Sequence, residues 1–356
     1  MSEIRSMLEE TVGKLLKDYC TKELITEAEK GVFPRDLWAT LTELGITSVG
    51  IEENQGGAGG DLGDFLSLIK LAGFFATPVP LAEHVLSNWL LSSAGLPVSN
   101  KISTFSQEIH KDPITFNLSE EGWILTGRAS FVPWGRDADN VIVVGTTSDE
   151  TMLLASVPLM DCEIKQKNSL AGEPRDEVTL SSVLLPKDKT VMVELELIEK
   201  LTLISTLTRV MLMTGAIERI LELTVAYSKE RIQFGRPISK FQAIQQQLAV
   251  LAGEATASMA VADYMINNVD TKLQVDEVAM AKIQLGDAAE VVSRIAHQVH
   301  AAMGFTDEHP LHQSTRRVWA WRDEFGNETT WALTLGEKIL ETSSNRLWPY
   351  ITSLKG

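Results

Sequence analysis

Two arginines bracket a turn in the C-terminal half of the chain. The segment Glu230-Arg231-Ile232-Gln233-Phe234-Gly235-Arg236-Pro237-Ile238-Ser239-Lys240-Phe241-Gln242 ends one long helical stretch, turns at Gly235 and Pro237, and opens another at Phe241-Gln242. Arg231 and Arg236 flank the turn, where a fork of donors can clamp a pyrophosphate. An ordinary helix–turn–helix uses the same residues, and on these residues alone both readings stay open. Three other clusters favour plainer readings. The loop Gln55-Gly56-Gly57-Ala58-Gly59-Gly60 is not followed by Gly-Lys-Ser/Thr and sits in no strand–turn–helix unit, so it reads as a loop and not a phosphate cradle. His297, His300, His309 and His312 lie close together, but without a nearby cysteine or a zinc-type arrangement of acids they read as surface or packed histidines, and no metal site is expected. Trp319, Trp321, Trp331 and Trp348 read as core or interface packing.

The elements that must carry these residues fall into three blocks. At 356 residues the chain is long enough for two or three domains of roughly 150 residues. Residues 1–104 read as helical: Met7, Val12, Leu15 and Leu16 share one helical face, as do Leu37, Leu41 and Leu44, and Gly45 is a natural stop. Asp61 is a plausible N-cap for a helix over 62–75, and Pro78 and Pro80 precede another around 85–91. Residues 105–190 change to short β-type runs at 123–125, 141–145, 152–157 and 178–185, separated by turn clusters, which predicts an antiparallel β domain. Residues 191–356 return to helix. Ile244, Leu248, Leu251, Ala255, Met259 and Ala262 make one stripe, and Val278, Ala281, Leu285, Ala289, Val292, Ala296, Val299 and Met303 a second. Long stripes of this kind pack as an antiparallel four-helix bundle. The expected fold is therefore α+β, mainly α.

Composition narrows the function classes. The balance of 32 basic and 48 acidic residues leaves −16, a field that repels nucleic acid and anionic membranes. The apolar runs stop short of the ~20 residues a membrane span needs, and the N-terminus carries no secretory h-region. Cys20 and Cys162 are the only cysteines and lie far apart, which fits a reducing cytoplasm.

The Arg231–Gln242 segment resembles the signature Arg-x-x-Phe-Gly-x-x-(Ile/Leu)-x-x-(Phe/His)-Gln of the acyl-CoA dehydrogenase family. The resemblance covers almost the whole chain. Leu44-Gly45 through Ile51–Gly59 is similar to the family's N-terminal glycine loop. Gly122-Trp123-Ile124-Leu125-Thr126-Gly127, followed by Asp137-Ala138-Asp139, is similar to its middle β domain. Gln298 through Gly304-Phe305 and on to Pro310 is similar to its late Gln-x-x-Gly-Gly-x-Gly motif. The resemblance implies an α domain, a β domain and a four-helix bundle. It also implies FAD as cofactor, α,β-desaturation of an acyl-CoA thioester, and an electron-transfer flavoprotein as electron acceptor.

The resemblance also assigns residues. The adenine and pyrophosphate end of FAD, held in the family by a neighbouring subunit, falls to Arg231, Gln233, Phe234, Ile238, Phe241 and Gln298, with Ala302 where the family has glycine. The ring end departs from the pattern. The family's Thr-Glu-Pro-x-x-Gly-Ser-Asp stretch has no counterpart around 104–113, and its Trp-Ile-Thr strand falls on Phe131-Val132-Pro133. Proline offers neither hydroxyl nor backbone N–H. The two positions where the family carries its glutamate base hold Phe325, before Gly326-Asn327, and Ser205, beside Thr206; neither side chain takes up an α-proton at neutral pH. Glu324, Asp323 and Glu328 are the neighbouring carboxylates, displaced from the base position by one, two and three residues, each residue a helical step of ~100°. This asymmetry resembles the shorter subunit of heteromeric α2β2 bacterial members that act on steroid side-chain CoA esters. The chain is then expected to complete the FAD site of a longer homologue in a heterotetramer. The alternatives are a self-sufficient homo-oligomer with Glu324 or Asp323 as base, a non-catalytic scaffold subunit, and a flavin hydroxylase or nitroalkane-oxidising relative.

Overall fold

The computed structural model describes residues 3–109, 111–271, 273–341 and Trp348. The chain gathers into two compact units, one built from residues 2–69 and 77–205 and the other from residues 70–76 and 206 onward. These units divide the chain differently from the three sequence blocks, because helices α4 and α6 described below each continue from one unit into the other.

The first unit opens with α1 (Glu3–Tyr19), α2 (Lys22–Glu29) and α3 (Arg35–Glu43). On α1, Val12 and Leu16 are buried as the stripe predicts, but Met7 is 65% exposed. The inward position two turns before Val12 belongs to Arg5. Its guanidinium donates to Asp61 Oδ1 at 2.9 Å and Asp64 Oδ1 at 2.7 Å. Those aspartates start α4 (Leu62–Phe74). Asp61 Oδ1 accepts from the Asp64 N–H at 2.6 Å and Asp64 Oδ2 from the Asp61 N–H at 3.2 Å, a reciprocal capping box. Helix α5 (Leu81–Ser93) is tied to the first strand through His84, whose Nδ1 accepts from the Ser103 N–H at 3.1 Å while Trp38 of α3 meets its ring edge-on at 5.2 Å.

The same unit carries an eight-stranded sheet of β1 (Ser103–Phe105), β2 (Thr115–Leu118), β3 (Trp123–Pro133), β4 (Asn140–Thr146), β5 (Met152–Pro158), β6 (Glu163–Lys165), β7 (Arg175–Leu185) and β8 (Thr190–Met192). Its order is β6-β7-β3-β2-β4-β5-β8, with β1 also on β4. Most pairs are antiparallel, but β1 and β2 both run parallel to β4, so the sheet is mixed. Alternating residues such as Phe116, Leu125, Val141, Val143, Val178 and Leu180 form its core. The register of β3 against β7 shifts between Ala129 and Val132, and in that bulge Phe131 adopts φ 51° and points to solvent at 54% exposure.

The second unit is the helical bundle. Helix α6 (Leu195–Glu230) leads into a two-stranded ribbon of β9 (Ile232–Gln233) and β10 (Arg236–Pro237). Then come α7 (Gln242–Asn268), α8 (Val275–His300), α9 (Leu311–Asp323) and α10 (Glu328–Glu341). Helix α8 packs against α7, α9 and α10, and its seven predicted stripe residues from Val278 to Val299 are all buried. Two glycines let α4 and α6 touch: a Cβ on Gly215 would lie 1.9 Å from the Lys70 carbonyl oxygen, and one on Gly73 2.1 Å from that of Leu212. Among the described residues, α6 is the helix long and apolar enough to cross a membrane, and most of its apolar window is buried within the fold.

Candidate functional site

The arginine-flanked turn is a tight β-hairpin. Gln233 pairs with Arg236 and Ile232 with Pro237, and the Ile238 N–H donates to the Arg231 carbonyl at 2.8 Å, lengthening the ladder by one pair. The two loop residues, Phe234 at φ 52° and Gly235 at φ 80°, are both left-handed, as a type I′ turn requires. Glycine tolerates this without strain; a phenylalanine there costs about 1 kcal/mol. The strained residue presents its ring to solvent at 94% exposure. Ile238 is buried and anchors the ribbon, and Phe241 opens α7, its carbonyl accepting from the N–H groups of Ile244 and Gln245. The Gln233 amide, oriented to satisfy its neighbours, accepts from Arg231 at 2.8 and 3.2 Å.

Gln298 and Ala302 stand at the same end of the bundle. Tyr227, one turn before Arg231 on α6, stacks on His300 with centroids 4.4 Å apart, joining the end of α6 to the end of α8. Gln298 and Ala302 are both exposed, and between them Ala301 holds φ 52° and ψ −137°. That conformation suits the glycine of the Gln-x-x-Gly-Gly pattern, so Ala301 is the position at which this turn is strained. The clustered histidines pack beneath the turn. His300 is fully buried, its Nδ1 2.8 Å from the Ala296 carbonyl oxygen, and burial pushes its pKa down to about 4. His309 meets His300 edge-on at 4.6 Å, and His297 stacks on Phe305 at 4.3 Å. Sequence spacing flagged this cluster, and three of its members, His297, His300 and His309, pack beside the Gln298–Ala302 turn.

The base positions lie elsewhere in the bundle. Phe325 follows α9 with φ 55° and Gly326 with φ 89°, a left-handed pair that reverses the chain into α10. The Trp331 indole N–H donates to the Phe325 carbonyl at 3.0 Å. Glu324 turns inward and is only 6% exposed; its Oε2 accepts from Arg209 Nε at 2.6 Å. The Arg209 guanidinium also lies 5.1 Å from the centre of the Phe325 ring. The fully buried Lys282 ammonium donates to the carbonyls of Trp321 at 2.8 Å and Glu324 at 2.9 Å, capping the last turn of α9. Desolvation pushes its pKa down to about 7. Asp323 faces solvent, Glu328 pairs with Arg322, and Ser205 and Thr206 are buried in α6. Arg209 and Lys282 escape sequence reasoning because their partners are 115 and 42 residues away along the chain.

On the sheet, most polar groups near the Phe131 bulge are spent on the chain itself, although Asp112 Oδ2 and the Gln107 amide nitrogen are buried without a hydrogen-bond partner among the described residues. Thr104 donates to the Pro133 carbonyl at 2.6 Å and Ser106 to that of Ser130 at 2.7 Å, while Asp112 Oδ1 accepts from the Ser130 N–H at 3.0 Å. The glycine loop is likewise closed. The N–H groups of Gly56, Gly57, Ala58 and Gly59 bond to the carbonyls of Glu53, Glu52, Ser48 and Ile51, leaving no cradle of free donors in that run.

Helices before a sheet, a long-helix bundle after it, and an Arg-x-x-Phe-Gly hairpin between two bundle helices define one class of flavoprotein. The chain belongs to the acyl-CoA dehydrogenase family, whose members are oxidoreductases that carry FAD. Residues 2–85 match the acyl-CoA dehydrogenase N-terminal domain and residues 199–339 the C-terminal domain, together more than half of the chain. It is 28% identical over 333 residues to acyl-CoA dehydrogenase IpdE2 of Mycolicibacterium smegmatis, covering 89% of this chain and 93% of that protein. It is 27% identical over 359 residues to acyl-CoA dehydrogenase FadE27 of Mycobacterium tuberculosis, covering 93% and 95%. A solved structure, the ChsE4-ChsE5 complex of Mycobacterium tuberculosis, contains a chain of the same fold, with a TM-score of 0.88 at 24% identity over 97% of this chain and 99% of that one.

Proposed function

We propose that this chain is the shorter subunit of a heteromeric acyl-CoA dehydrogenase, supplying the adenine and diphosphate half of an FAD site to a longer homologue. The observation that carries this reading is an asymmetry. The hairpin presents Arg231, Gln233 and Phe234 outward, while on the sheet the Thr104 and Ser106 hydroxyls are engaged by its own backbone, and the positions of the family's ring-side threonine and glutamate base hold Pro133, Phe325 and Ser205. The residues present therefore fit one end of the cofactor and not the other.

In this reading the Arg231 guanidinium donates to the diphosphate oxygens, and Gln233 and Gln298 offer amide hydrogen bonds to the nucleotide. Phe234 and Phe241 give the adenosine an apolar wall, held in place by the buried Ile238, and the Gln298–Ala302 turn brings backbone close to it. FAD, when bound, accepts the hydride from the β carbon of an acyl-CoA. Phe325 and Ser205 take no proton, so the α-proton passes to a carboxylate of the longer homologue. Glu324 is a poor substitute, because its carboxylate is committed to Arg209. That commitment disfavours the self-sufficient enzyme; the scaffold reading leaves the outward hairpin without a purpose. Electrons leave to an electron-transfer flavoprotein. Relatives named acyl-CoA dehydrogenases support an acyl-CoA thioester as substrate; a role in lipid or steroid breakdown and a cytoplasmic setting are part of the proposal.

The test is the visible spectrum of the purified chain, alone and co-expressed with the nearest longer homologue, with size-exclusion mass alongside. A colourless chain that gains flavin only in a mixed tetramer is the expected result. A yellow chain with about one FAD per subunit that bleaches with an acyl-CoA would sink it.

A further inference from the structure

The hairpin carries a second guanidinium to which the family pattern assigns no role. Arg236 lies directly across the ribbon from Gln233, so the two side chains leave the same face. Arg231, two residues from Gln233 along the strand, leaves that face as well. Two like charges on one small surface repel, and a chain with 48 acidic residues has ample means to offset them. Yet among the described residues neither Arg231 nor Arg236 makes an ion pair with a carboxylate. Arg236 is also held in place. Its guanidinium sits 4.3 Å from the centre of the Phe241 ring, and Phe234 meets that ring edge-on at 6.2 Å. A guanidinium stacked on an aromatic face keeps its in-plane N–H donors free for an anion, and its ordering entropy is lost before any ligand arrives.

We infer that Arg236 is a second diphosphate-binding side chain, so that this hairpin grips the nucleotide diphosphate of FAD between two guanidinia on one face. The inference rests on the half-site reading above. It adds a specificity-determining residue, because the second cation selects a diphosphate over an uncharged nucleoside.

The test uses the complex with the longer homologue, stripped of flavin and titrated with FAD at low and high salt, for the unaltered protein and for Arg231→Ala, Arg236→Ala and Arg236→Lys. One lost charge-assisted contact corresponds to about a tenfold weaker Kd at low salt. Arg236→Ala is expected to show that loss and a shallower salt dependence. Arg236→Lys, which keeps the charge without the planar fork, is expected to recover part of it. The inhibition constant of ADP against FAD is expected to rise in Arg236→Ala, and that of adenosine to be the same in both proteins. If Arg236→Ala binds FAD as tightly as the unaltered protein while Arg231→Ala does not, the second guanidinium has no ligand role and the half-site survives. If Arg231→Ala also retains FAD, or the unaltered complex takes up none, the half-site reading falls and this inference with it. Equal rises in the inhibition constants of ADP and adenosine would make Arg236 a support for Phe241 alone and overturn the assignment.

Discussion

Replacing Arg209 by methionine should remove the guanidinium that Glu324 faces at 2.6 Å in a site where both side chains are nearly inaccessible. Removing one partner of a buried pair costs about 3–5 kcal/mol, because the remaining charge keeps its desolvation penalty and loses its counterion. Within a cooperative unit of this size each kcal/mol moves the melting temperature by about 2–4 °C, so Arg209→Met should melt about 10 °C lower. Glu324→Gln should fall by a similar amount for the mirrored reason. The double variant Arg209→Met/Glu324→Gln leaves neither charge exposed to the interior, and it should be more stable than the sum of the singles by about 2–4 kcal/mol. Calorimetry and urea unfolding of the four proteins close the cycle. Additive singles of less than 1 kcal/mol each would refute the view that this ion pair holds the turn after α9. The same proteins separate a structural role from a catalytic one. If Glu324→Gln abolished acyl-CoA oxidation at an unchanged melting temperature, Glu324 would be a base after all.

Two other perturbations test other parts of the molecule. His84 is buried, and desolvation lowers its pKa from 6.5 to about 4. The unfolded chain binds that proton first, so stability is lost as pH falls from about 6.5 to 4, by up to about 3 kcal/mol; His84→Phe should flatten this part of a melting-temperature profile, and an unchanged slope would exclude His84 as its source. Ala301→Gly removes a left-handed strain and should raise stability by about 1 kcal/mol in urea unfolding, whereas a loss of stability would mean the Ala301 methyl group packs favourably.

How much could be read from residue order follows the range of the interactions involved. The Asp61 cap is local, and its bond to the Asp64 N–H spans three residues, so it was legible. The stripe from Val278 to Val299 repeats on one helical face, and the four β runs lie within β3, β4, β5 and β7. Strands β1, β2, β6 and β8 have only three or four residues each, too few for alternation to declare itself. Met7 misled because hydrophobicity outweighed position: the buried place on that face belongs to Arg5, whose charge is met by two aspartates more than fifty residues away. At the candidate site, the turn flanked by Arg231 and Arg236 could be seen because the two arginines lie five residues apart in sequence and the hairpin that joins them is local. The left-handed Phe234, Ala301 and Phe325 could not, because nothing in a phenylalanine or an alanine announces a positive φ.

Lys282 has a consequence for how the bundle exchanges protons with its surroundings. Its ammonium titrates at about 7 in the fold, against about 10.4 for a lysine in an unfolded chain. At pH 8.5 the folded amine is mostly neutral and the unfolded one charged, so opening the unit takes up close to one proton at this residue. Stability from this source rises between pH 7 and 10, and the apparent enthalpy of unfolding should depend on the ionisation enthalpy of the buffer. Calorimetric traces that coincide in two buffers of very different ionisation enthalpy would show that the amine stays protonated in the fold, held by the carbonyls of Trp321 and Glu324. If the traces separate, the core of the bundle acts as a proton store that empties when it assembles.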